Sequence, residues 1–158
     1  MKEKALKLIN ILEKELKLYE ELFFNEMDKG CLLYEHDVDS FNKLNEFSSK
    51  ILSEIGSLID IKKEILSYYK EILRTDEIYV ELIIGKFIPD MLNQYYFLKE
   101  KLQKILKQLA ELNLKNKIIL DTTYSVSKIM IEGLKRENIY NEKGSLCDSY
   151  FSTVKYSV

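Results

Sequence analysis

From Ile88 to Met130 the chain places apolar residues at alternating steps of three and four. The positions are Ile88, Met91, Tyr95, Leu98, Leu102, Ile105, Leu109, Leu112, Asn116, Ile119, Thr123, Val126 and Met130, and only Asn116 and Thr123 are polar. An α-helix turns once in about 3.6 residues, so this spacing keeps the whole set along one side. A stripe held over about six heptads marks a long helix packed lengthwise on others.

The rest of the chain follows the same rule. Its 158 residues include 5 Gly and 1 Pro, too few breaks for a fold of many strands and turns. A first helix is expected over 2–29, with a seam of Ala5, Ile9, Leu12, Leu16, Tyr19 and Phe23, broken by Glu26 and stopped at Gly30. Residues 31–36 read as a turn, and Asp37 or Asp39 can accept from free amides at the start of the second helix. That helix repeats the spacing through Phe41, Leu44, Ser48, Ile51, Ile55, Leu58, Lys62, Ile65, Tyr69 and Ile72. A boundary at 74–76 offers Thr75 or Asp76 as a cap for a short helix over 77–84 ending at Gly85. Pro89 suits the first turn of the third long helix, which reaches about residue 135. Long helices with short connections lie antiparallel to their neighbours in the chain. The expected fold is all-α: an elongated, coiled-coil-like antiparallel three-helix bundle over 1–137, with a short connecting helix and a mobile C-terminal tail over 138–158.

Lengths and composition single out the end of the third helix. At ~1.5 Å per residue the second helix is about 54 Å long and the third about 70 Å, so roughly 11 residues overhang if both start level. From Leu98 to Lys117 the outward face is charged; from Ile118 to Leu134 the charges thin to Asp121, Lys128 and Glu132. Ile118, Leu120, Tyr124, Ile129, Ile131 and Leu134 then fall off the seam. A helix apolar nearly all round is buried on more than one side. Two coverings remain open: the short helix or tail folding back, or a partner helix lying on the stretch.

Other chemistry finds little footing. A net charge of −2 gives no electrostatic case for nucleic acid or an anionic membrane. No apolar run approaches ~18 residues, and the chain enters amphipathic helix without a signal-type apolar region. The lone histidine, His36, and the isolated cysteines, Cys31 and Cys147, match no metal or nucleophile pattern. A di-iron bundle needs two Glu-x-x-His motifs, and Leu33 stands where the first Glu would be. No enzyme activity, cofactor or metal is therefore expected, and a cytoplasmic location with reduced thiols is. Asn116 reads as a buried residue that fixes helix register.

Three features give a resemblance to a known family. The turn His36-Asp37-Val38-Asp39-Ser40-Phe41 follows a Leu- and Glu-rich first helix. The third helix contains Leu112-Asn113-Leu114-Lys115-Asn116, and Tyr140-Asn141-Glu142-Lys143-Gly144 comes after it. In order and spacing these resemble the FlgN family of flagellar export chaperones along nearly the whole chain. One departure is the tail, often rich in Gly and Ser in the family, which here holds Tyr150, Phe151, Val154 and Tyr156.

The resemblance implies a chaperone of the bacterial flagellar type III export system with two partners. Helical C-terminal segments of hook–filament junction proteins would dock on the C-terminal half of the third helix, at Ile118, Leu120, Tyr124, Ile129, Ile131 and Leu134. The cytosolic domain of the export gate protein FlhA would take Tyr140. Asn113, Asn116 and Gly144 are the other motif residues that the resemblance marks. The alternative is a structural coiled-coil protein that acts by self-association; such a rod needs seam residues only.

Overall fold

The computed structural model describes residues 1–35, 37–75 and 77–137, with side chains up to residue 132. His36, Asp76, the tail with Tyr140 and Gly144, and the side chain of Leu134 lie outside the described residues. Among the described residues there are four α-helices and no strand, so the fold is all-α. They are α1 (Lys2–Glu35), α2 (Val38–Leu73), α3 (Val80–Phe87) and α4 (Leu92–Glu137), with a 3₁₀ turn at Pro89–Met91 leading into α4. No described helix is long and apolar enough to cross a membrane. Residues 1–117 form one compact unit, and the part of α4 from Ile118 belongs to a second.

Local chemistry sets the helix ends. Asp37 caps α2, its Oδ1 accepting from the backbone N–H of Ser40 at 3.0 Å, and Asp39 follows in the first turn. At the other end Arg74 takes a left-handed conformation, φ 50°, and donates its N–H to the carbonyl of Lys70. Pro89 opens the turn before α4, where a missing N–H leaves no bond unmade.

Two expected boundaries are corrected. Gly30 does not stop α1: the helix runs to Glu35, and Cys31 and its successors are its last turn, not a loop. The glycine serves close approach instead, because a Cβ there would sit 2.9 Å from Oδ1 of Asn116. The short helix starts three residues later than expected, after Tyr79, and Gly85 lies within it. Thr75 does not cap it. The Thr75 N–H bonds back to the Lys70 carbonyl at 3.4 Å, which extends the exit of α2.

Within residues 1–117, α1 is the central helix. Ala5, Ile9, Leu12 and Leu16 of the expected seam are buried, but so are Leu8, Ile11 and Leu22 beside it. Two partners cover these two sides. Against α2, Asn25 meets Ser48, Glu15 meets Lys62, and the Tyr69 hydroxyl donates to the Met1 carbonyl, an antiparallel order. Against α4, Gln94 donates to Glu13 and Asn116 to Glu26, a parallel order. Up-down-up is what short connections between long helices impose. α3 plugs this core with Ile83 and Ile84, both fully buried, and Phe87 stacks 5.0 Å from the ring of Tyr69. Each such buried Ile or Leu contributes about 1.5–3 kcal/mol of burial free energy.

Candidate partner-binding site

The seam of α4 is buried at Tyr95, Leu98, Leu102, Ile105 and Leu109, half-buried at Leu112, and buried again at Asn116. Asn116 is the polar anchor of this stretch. Its Nδ2 donates to the Glu26 backbone carbonyl at 2.8 Å, against the bare backbone of Gly30. Asn116, expected to fix register, is thus buried and bonded to α1, while Asn113 of the same motif is exposed.

Close by, Ser48 joins α1 and α2. Its hydroxyl donates to Glu26 Oε1 at 2.9 Å and accepts from Asn25 Nδ2 at 2.6 Å and Lys29 Nζ at 2.7 Å. One donor and two acceptor sites are all that a hydroxyl has, and all are used. Lys29 also pairs with Glu26 Oε1 at 2.6 Å, and the second amide proton of Asn25 goes to the Leu44 carbonyl. Farther along, Lys62 forks onto both oxygens of Glu15 at 2.6 and 2.8 Å. Buried charges and amides of this kind are tolerated only when paired. Sequence reasoning did not single out Asn25, Lys29 or Glu15. Their signal is a second 3-4 series on the first helix, Leu8, Ile11, Glu15, Leu18, Leu22, Asn25 and Lys29.

From Ile118 onward α4 changes character. Ile118, Leu120, Tyr124, Val126, Ile129, Met130 and Ile131 are all exposed, Tyr124 at 70% and Ile129 at 68%. Five of the six residues expected to take cargo are in this set, and Leu134 is not described. They do not form one face. At about 100° per residue, Ile118 and Ile129 lie together on one flank of the seam, and Leu120, Tyr124 and Ile131 on the other. Val126 and Met130 fill the seam between, so apolar groups span about 240° of the helix. Lys117, Asp121, Lys128 and Glu132, all exposed, share the remaining sector. Exposed apolar surfaces of this width are uncommon on single chains and are found where other apolar surfaces dock.

Elsewhere, Cys31 is exposed and unbridged on α1. Among the described residues no three His, Cys, Asp or Glu converge as a metal cluster. Comparison with family models, curated proteins and solved structures gives no match for this chain.

Proposed function

We propose that this chain is a non-enzymatic chaperone of the bacterial flagellar export system, working in the cytoplasm. It would hold the C-terminal helical segment of a hook–filament junction protein on α4 from Ile118 and pass it to the export gate. The observation that carries the reading is the run of seven large exposed apolar side chains between Ile118 and Ile131. A helix laid in this surface would cover the seam and at least one flank, the usual way an amphipathic segment is held. The family is argued from the motifs around Asp37, Asn116 and Tyr140 alone. A rod that only self-associates has no need of a second apolar flank, and Ile118 and Ile129 stand off the seam on the side away from Leu120, Tyr124 and Ile131, which favours the carrier reading. Tyr140, on the tail, is the proposed contact to the cytosolic domain of FlhA.

The test is co-purification with the junction protein's C-terminal segment. Ile129→Asp or Ile131→Asp, whichever lies on the flank that the cargo covers, should abolish it while far-UV circular dichroism stays unchanged, since both side chains are exposed. Normal capture by both variants would remove α4 from the mechanism. Tyr140→Ala should keep capture and lose binding to the gate domain.

A further inference from the structure

The charged sector of the exposed stretch has an order that the carrier reading does not use. Asp121 and Lys128 stand seven residues apart on the same edge, beside the flank of Leu120, Tyr124 and Ile131. When two identical helices pair antiparallel about a two-fold axis, each edge meets the same edge of its mate in reverse order. Residues one heptad apart on that edge then change places. An Asp and a Lys so spaced are complementary to themselves.

We propose that this flank of α4 pairs antiparallel with the same flank of a second copy of the chain. In the register that the charges select, Leu120 packs on the partner's Ile131, and Tyr124 on the partner's Ser127, large against small. Asp121 lies opposite the partner's Lys128, and Lys128 opposite the partner's Asp121. The other edge carries Thr123 against the partner's Met130, with no charge on it. A parallel pair would instead bring the Asp121 edge against the Thr123 edge and form neither ion pair. The contact is about three helical turns long, roughly 18 Å at ~1.5 Å per residue, which is short for a permanent dimer. Pairing is therefore reversible. It covers Leu120, Tyr124 and Ile131, which the carrier reading assigns to cargo, so cargo and second copy compete; this last step rests on that reading.

Sedimentation velocity of the whole chain over a concentration series tests the pairing. The expected result is a mass rising from one chain to two, weakened by high salt. Asp121→Lys and Lys128→Glu should each weaken association about tenfold, because two attractive contacts become repulsive in each pair. An equimolar mixture of the two variants should associate like the unaltered chain, since both edge contacts are then Lys against an acid. The double variant in one chain should also recover. Asp121 and Lys128 are exposed, and unchanged circular dichroism will show that the variants fold. A chain that stays monomeric throughout overturns the proposal and leaves cargo capture untouched. So does a dimer indifferent to the single changes, or a mixture that does not recover. A dimer obeying the charge rules that captures no junction-protein segment would keep this inference and end the carrier reading.

Discussion

Replacing Gly30 by Ala puts two effects of similar size in opposition. Inside a helix Ala is favoured over Gly by about 1 kcal/mol, because the glycine backbone loses more freedom on folding. Gly30 lies inside α1, so an isolated helix would gain this amount. In the folded chain the new Cβ would come 2.9 Å from Asn116 Oδ1, with the side-chain carbon at 3.8 Å. Carbon and oxygen need several tenths of an ångström more than that. Asn116 cannot simply swing aside, because its Nδ2 is held on the Glu26 carbonyl at 2.8 Å and the residue is buried. Displacing it strands a buried amide, which costs about 1–3 kcal/mol. Gly30→Ala is therefore expected to be neutral to destabilising by about 2 kcal/mol, the difference of these two ranges.

The reasoning is tested by repeating the change in an Asn116→Ala background. There the obstacle is gone, and Gly30→Ala should stabilise by about 1 kcal/mol. Asn116→Ala itself is expected to destabilise through the lost bond and lost packing, while the Glu26 carbonyl keeps its helical partner. Urea unfolding followed at 222 nm on the four chains yields the coupling, expected at about 1–3 kcal/mol. Additivity within about 0.5 kcal/mol would refute the close approach of α1 and α4 at this point. It would return Gly30 to the role of an ordinary weak spot in a helix.

Three more outcomes can be measured on the same unfolding transition. Ser48→Ala removes the one hydroxyl shared by Glu26, Asn25 and Lys29 and should destabilise by about 1–3 kcal/mol; a neutral result would mean the network does not form. Lys62→Met leaves the Glu15 carboxyl, its side chain 4% exposed, without its partner and should cost about 3 kcal/mol, whereas Lys62→Met with Glu15→Leu should fall within about 1 kcal/mol of the parent; equal losses in both would sink the pairing argument. Hydrogen bonds from Ser40, its side chain first and its backbone N–H second, hold the Asp37 carboxyl below its ordinary range. A lowered pKa means the contribution is whole above the unfolded value and shrinks as pH falls through the folded one. The melting-temperature gap between the parent and Asp37→Ala should therefore close in acid, while Asp37→Asn, which still caps, should show a flatter profile; a gap constant from neutral pH to pH ~2 would count against the cap.

Helix class, the order of the long helices and the cap at Asp37 were legible because each rests on local spacing. Periodicity needs only neighbours three and four residues away, and Asp37 acts on Ser40. The end of α1 was not legible, because Gly30 has two opposite meanings. A glycine ends a helix when its backbone must turn left-handed, and it admits a neighbouring helix when it lacks a Cβ. Only the presence of Asn116, distant in sequence, selects the second. The start of α3 failed for a related reason. Thr75 has the chemistry of a cap, but the chain continues the exit of α2 through it to the Lys70 carbonyl, and α3 begins without a side-chain cap.

The polar residues within the seams carry the information that an apolar pattern lacks. Leu, Ile and Tyr at 3-4 spacing permit helices to slide by a heptad with little change in burial, so such seams specify contact but not register. The first helix holds two seams about 100° apart, and each is interrupted where its partner is. Glu15, Asn25 and Lys29 interrupt the side toward α2, which has Lys62 and Ser48 at the matching levels. Gly30 interrupts the side toward α4, where Asn116 meets it and the backbone carbonyl of Glu26, whose carboxylate turns to Ser48 on α2. A slip of one heptad would bury Glu15 without Lys62, at several kcal/mol, and would take Ser48 away from Asn25 and Lys29. Polar residues on the first helix therefore read as surface only while a single seam is assumed. Once the second series is seen, the same residues fix which helices meet and at what height. Beyond Ile118 the off-seam residues of α4 form two flanks, because the angle between Ile118 and Leu120 is about 160°. A partner that grips both must wrap the helix, whereas one that takes only Leu120, Tyr124 and Ile131 meets the Asp121–Lys128 edge as well. A change at Asp121 therefore reports on any partner that lies along this flank.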